Sequence, residues 1–171
     1  VHGRTGRKED YLLIAERLSA VGFRCLLPDM PAHGEHPGIH ATFGIREADI
    51  PARALKESAE MLKFNPVPAG LMGMSMGGAV SMHAAAEPDQ PWKALVILSS
   101  FDRLETAIQK NVRDRIGGFL GKAWTDLAGR IYRWKTGIAI DDIRSDLAAT
   151  KITLPTLVAH GTKDRVIPHE S

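Results

Sequence analysis

The 171-residue sequence predicts an α/β architecture, a mostly parallel sheet with helices on both faces. Three observations predict it. Short aliphatic runs alternate with amphipathic helical stretches along the chain, the pattern of strands covered on both sides. The runs end in Gly, His-Gly or Asp-containing turns, so chemistry-bearing residues gather where a parallel sheet places its ligands. Hydrophobic residues make up 44% and charged residues 25%, enough apolar surface for one globular domain with a proper core.

The elements follow in order. EDYLLIAERLSAVG (9–22) spaces Tyr11, Ile14, Ala15, Leu18 and Val21 at helical intervals, with acids at its start and Gly22 as a stop. FRCLLPDM (23–30) reads as a short buried strand, with Cys25 a small buried hydrophobe in it. A histidine-rich loop, PAHGEHPGIH (31–40), comes next. Residues 47–63 read as a helix bounded by NPVP. AGLMGM (69–74) is a strand, MGGAVSMHAAAE (76–87) a helix ended by Pro88, and ALVILSS (94–100) a strand. A mostly helical stretch covers 101–149, and LPTLVAHG (154–161) is the last strand.

Composition removes several functions. The net charge is +2 with scattered basic residues, so there is no electrostatic footprint for nucleic acid. No run approaches the ~18 apolar residues of a membrane span. The single cysteine excludes an internal disulfide. With no signal peptide visible, a cytoplasmic location is expected, although the sequence begins at Val1 rather than Met.

The turn at residues 73–77, Gly-Met-Ser-Met-Gly, fits G-x-S-x-G between a strand and a helix. Such a turn holds its serine in strained backbone, and small neighbours let strand and helix approach. Ser75 is thereby pushed into the cleft beside the first amides of the following helix, which form an anion site. A nucleophile next to an oxyanion site is the requirement of acyl transfer.

On these motifs the chain resembles the α/β-hydrolase superfamily, in particular the bacterial serine esterase and serine aminopeptidase-like branch. VHGRTGRKEDYLLIAERLSAVGFRCLLPDMPAHGEH resembles the family's third strand end, first helix and fourth strand; GLMGMSMGGA resembles its nucleophile elbow; LPTLVAHGTKDRVIP resembles the seventh strand and acid loop. The resemblance implies an incomplete α/β-hydrolase domain over residues 1–171 with a short helical cap at 101–149. It implies Ser75 as nucleophile, Asp164 as the acid of the triad, and the backbone amides of Met76 and Arg4 as oxyanion donors. It implies no cofactor, and a small-molecule ester-like substrate. The family order is serine, acid, histidine. None of the seven histidines fits the last place; His169, five residues after the acid, falls where the family begins its next helix. The expectation is an internal piece of a larger hydrolase whose histidine lies beyond Ser171 and whose first strands precede Val1. The alternative is a hydrolase-like fold serving as a non-catalytic binding module.

Other candidates are weaker. His33, Glu35, His36 and His40 match neither H-E-x-x-H nor its inverse, so no metal is expected there. In the same loop, Ala32 stands where the family has glycine before the His-Gly pair. His83 is expected to be a packed or partly exposed histidine of the helix after the elbow. GGFLGK (117–122) has the wrong glycine spacing for a phosphate loop, and Ala123 stands where Ser or Thr must hold magnesium. Trp124, Leu127, Ala128, Ile131 and Trp134 form a helical stripe expected to pack on the sheet domain, or in part to line an acyl pocket. Asp141, Asp142 and Asp146 read as solvated helix-start residues.

Overall fold

The computed structural model describes residues 1–164, 166 and 167, with only the backbone described at 113–116, 118 and 120; His169 lies outside the described residues. Three strands, β1 (Ala69–Met74), β2 (Trp92–Leu98) and β3 (Thr156–Ala159), form a parallel sheet in the order β1-β2-β3. The register pairs Leu71 with Leu95 and Gly73 with Ile97 across the first two strands, and Ile97 with Val158 across the second pair. Six α-helices accompany them among the described residues: α1 (Leu12–Ala20), α2 (Ile50–Leu62), α3 (Met76–Ala86), α4 (Leu104–Ile116), α5 (Gly118–Thr136) and α6 (Ser145–Ala149). None is long and apolar enough to cross a membrane.

The sheet positions α3. Its sequence, MGGAVSMHAAA, has no polar face, and eight of its residues are buried, as expected of a helix enclosed on several sides. Ala84 and Ala85 pack with Leu71, Leu95, Ile97 and Trp92, while Ala52 and Leu55 of α2 close that cluster from the side. Full burial of a residue such as Leu95 or Ile97 contributes about 1.5–3 kcal/mol. On the opposite flank Ala79 joins Phe101, Leu104, Ala107, Ile138, Ile140 and Ile143, so the segment after β2 is anchored on α3 through its two ends.

Two elements depart from the sequence reading. Residues 23–30 form no strand, and Phe23 and Leu26 are exposed. A strand exists by its hydrogen-bond ladder. Among the described residues, the free edge of β1 is met only by Val1, whose carbonyl accepts from the Met74 amide at 3.2 Å and whose own nitrogen donates to the Met72 carbonyl. One residue offers no ladder for 23–30 to extend. The apolar stripe of α5 is also turned outward: Trp124 is 62% and Trp134 83% exposed, with Leu127 and Ile131 exposed between them. The helix instead buries Gly121, Thr125 and Thr136, and Tyr132 packs on Phe43. Small residues let α5 sit close to its neighbours, and hydroxyls there are satisfied locally, with Thr125 and Thr136 donating to the carbonyls of Gly121 and Tyr132. Hydrophobicity alone therefore selected the wrong face.

A buried carboxylate holds the loop before α2. Glu47, 2% exposed, accepts from the Thr42 hydroxyl at 2.6 Å and the Gly44 amide at 2.9 Å. The same loop grips α5, since Arg46 donates to the Thr136 carbonyl at 2.6 Å and the Tyr132 hydroxyl to the Ala41 carbonyl at 3.1 Å. Asp146 is not merely solvated: it takes a two-pronged contact from Arg144 (2.8 and 2.7 Å) and a third from Arg103 at 3.2 Å. Those donors hold its carboxyl far below the usual carboxylate range against the opposing effect of burial. Asp141 and Asp142 are exposed on the short turn Ile140–Asp142.

Candidate active site

Met74 ends β1 and Met76 begins α3, so the chain reverses from strand to helix at Ser75 alone. Its φ is +53° and ψ −119°, a conformation that costs a residue with a side chain roughly 1–3 kcal/mol. Four hydrogen bonds hold it there. The Ser75 amide donates to the Leu98 carbonyl at 2.9 Å; the Ser75 carbonyl accepts from the amides of Gly78 (2.9 Å) and Ala79 (3.2 Å) and from the Ser100 hydroxyl (2.9 Å).

The glycines around it are dictated by contact. A Cβ on Gly73 would lie 2.1 Å from the Gly77 carbonyl oxygen; one on Gly77 would lie 2.2 Å from that of Val1; one on Gly78 would meet the Ser100 Cβ at 2.6 Å. Two of these obstacles are backbone, which cannot swing aside. Gly77→Ala is accordingly expected to destabilise the protein by about 2–4 kcal/mol. Gly70→Ala, whose Cβ would meet only the Ala94 carbonyl at 3.7 Å, should stay within about 0.5 kcal/mol. Paired urea titrations check this; equal midpoints for the two variants would contradict the packing account.

Among the described residues, the Ser75 hydroxyl has no hydrogen-bond partner. A serine preceding a helix ordinarily accepts an amide of the first turn, yet Ser75 makes no such bond. The residue is half-buried at the end of β1. Among the described residues, no histidine nitrogen bonds to it and no acceptor takes the Met76 or the Arg4 amide. Gly3 lies alongside: a Cβ there would be 3.4 Å from the Ser75 Cβ and 4.0 Å from its Oγ. The Arg4 side chain is exposed.

Asp164 occupies the turn after β3, its amide donating to the Gly161 carbonyl at 2.9 Å. Because all strands are parallel, this turn and the Ser75 bend open on the same edge of the sheet, with β2 between them. The Ser99 amide ties that edge together by donating to the Ala159 carbonyl at 2.9 Å, next to the Leu98 carbonyl that holds Ser75. Asp164 is half-buried, and burial pushes its carboxyl up. The amides of Ile167 (3.0 Å) and Val166 (2.8 Å), both donating to Oδ1, outweigh that effect and hold it below the usual carboxylate range. His160, which the sequence reading left without a role, donates from Nε2 to the Ile167 carbonyl at 2.9 Å and lies 3.5 Å from Asp164 Oδ2.

The histidines near the amino terminus are structural in their bonding. His2 is 2% exposed; its Nε2 accepts from the Met30 amide and its Nδ1 faces the Gly3 carbonyl, both at 2.9 Å. A ring that accepts at Nε2 carries its proton on Nδ1, so His2 is neutral, and burial pulls it down from the ordinary imidazole value. His83 is likewise pulled down by burial, and its Nε2 is buried without a partner among the described residues. Ala32 adopts a φ of +64°, so the left-handed turn forms without the glycine usual there. Among the described residues, no group of three His, Cys, Asp or Glu side chains could hold a metal ion.

Comparison with known proteins places the family and the fold. The family model "Serine aminopeptidase, S33" matches residues 1–148. The chain belongs to the serine aminopeptidase S33 family of α/β hydrolases. The match includes Ser75, Met76 and Arg4, whereas Asp164 lies past its end. No curated protein matches. Solved structures share the fold of this S33 chain: a hydrolase from Pseudomonas aeruginosa (20% identity, TM-score 0.58, covering 99% of this chain and 72% of that one), an esterase from Exiguobacterium antarcticum (18%, 0.58, 99% and 75%), and NosK from Streptomyces actuosus (22%, 0.55, 97% and 76%). The parallel sheet with its helices matches that of these α/β-hydrolase neighbours.

Proposed function

We propose that the protein is a serine hydrolase that cleaves small carboxylic esters, and secondarily thioesters or amides, through an acyl-serine intermediate. The observation that carries this reading is Ser75 itself, a half-buried residue held at a strained bend with its hydroxyl unused as a helix cap. Ser75 Oγ attacks the substrate carbonyl carbon and its proton passes to a histidine outside the described residues. The carbonyl electron pair becomes an oxyanion held by the amides of Met76 and Arg4. Collapse expels the alcohol, which takes the proton from the histidinium, and water then releases the acid by the same steps. Asp164, ionised at neutral pH, orients that histidine and stabilises its charged form. Residues 101–149 serve as a short cap. No cofactor enters any step. The esterase among the structural neighbours supports the choice of substrate class.

A panel of 4-nitrophenyl esters of rising acyl length tests the reading on the full-length protein. Saturable turnover with a preference for one chain length is expected. A folded protein that turns over none of them would contradict it and favour the binding module.

A further inference from the structure

We propose that His33, from the loop after residues 23–30, is a positioning residue that holds the oxyanion-side turn through the Thr5 amide. The inference rests on the serine hydrolase reading and deepens it.

The turn runs from Gly3 to Gly6 and is closed by the Gly6 amide donating to the Gly3 carbonyl at 3.0 Å. Arg4 and Thr5 are its central residues. Thr5 has a φ of +67°, a value that the third residue of such a turn reaches easily only when it is Gly or Asn. For a β-branched side chain it is an outlier, so something must hold it. The Thr5 amide donates to His33 Nε2 at 3.1 Å. His33 Nδ1 lies 2.8 Å from the Pro31 carbonyl, which can only accept, so the proton sits on Nδ1 and Nε2 is free to accept.

The base of this contact is rigid. The His33 amide donates to the Met30 carbonyl at 3.0 Å, and the ring lies 5.0 Å from the His2 ring. Asp29, with a side chain 7% exposed, accepts from the amides of Lys8 (2.8 Å) and Glu35 (3.0 Å) and from the Lys8 ammonium (3.0 Å). Burial pushes that carboxyl up, but these donors outweigh it and draw it to about 2. The Asp29 carboxylate thus clamps both ends of the assembly, and a Cβ on Gly34 would strike it at 2.2 Å. Without the His33 acceptor, Thr5 relaxes toward negative φ, and the Gly3–Arg4 segment beside Ser75 moves with it. A donor displaced by about 1 Å costs on the order of 10²-fold in rate.

The test compares His33→Ala, Thr5→Gly and the double variant in the full-length protein, with a 4-nitrophenyl ester as substrate and a phenylboronic acid as probe of the tetrahedral adduct. His33→Ala should lower kcat on the order of 10²-fold with KM within about threefold, and weaken boronate binding in parallel. Thr5→Gly, which accepts positive φ without help, should restore at least about tenfold of the loss in the His33→Ala background. His33→Leu, which fills the space without an acceptor, is read in the same way should the alanine variant not fold. Wild-type kcat in His33→Ala or His33→Leu, alongside an inactive Ser75→Ala, would overturn the inference alone. Full activity in Ser75→Ala would overturn the serine hydrolase reading beneath it.

Discussion

Ser75→Ala is expected to lower kcat for ester hydrolysis on the order of 10⁶-fold, the scale at which removal of a nucleophile from an activated serine site operates. The effect is chemical because the hydroxyl has no structural duty. It caps no helix, and all four bonds that fix the residue involve its backbone. Alanine meets the same strain at a φ of +53° as serine does, so stability should change by no more than about 0.5 kcal/mol. Kinetics with one good ester, together with a thermal melt, checks both halves. A folded variant retaining more than a few per cent of the activity would remove Ser75 from the mechanism.

Asp164→Asn carries the second largest effect, a loss on the order of 10⁴-fold in kcat, from a histidine left in the wrong tautomer and an imidazolium left without its counter-charge. The substitution is a clean one here. An asparagine oxygen at the Oδ1 position still accepts from Val166 and Ile167, so the turn keeps its shape. Only the Oδ2 side changes, where an amide NH₂ replaces the oxygen that lies 3.5 Å from His160. The pH profile adds a check with a definite sign. The carboxyl is held below its ordinary value of 3.8, so it is ionised throughout the range above that value. The acid limb of the wild-type profile must then belong to the histidine and not to Asp164. A fall in kcat of less than about tenfold in Asp164→Asn would take this residue out of the triad.

The elbow was legible in the sequence because its cause is local. Gly73, Gly77 and Gly78 are glycines since strand, bend and helix crowd within a few residues of one another, and the strands on either side are continuous aliphatic runs. The sheet edge that Asp164 occupies was legible because parallel strands bring their ends to one edge whatever lies between them. What the sequence hid depends on distant partners. Residues 23–30 have the composition of a strand but meet no pairing neighbour among the described residues. The stripe of Trp124 and Trp134 has helical spacing, yet the helix turned another face inward, with Tyr132 packed on Phe43 and donating to the Ala41 carbonyl, 91 positions away. The Glu47 carboxylate beneath its loop and the His33 contact to Thr5, separated by 28 positions, leave no pattern that spacing could detect. Thr5, Ala32 and Phe43 adopt positive φ although none is a residue type that favours it, and nothing in the sequence announces this.

Covalent labelling with a fluorophosphonate followed by peptide mapping tests the central claim most directly, because the reagent records which hydroxyl is both activated and accessible. A single adduct on the peptide containing Ser75, with loss of ester turnover in proportion to labelling, is the predicted result. An active protein whose adduct maps to another residue, or which stays active without any adduct, would contradict the account.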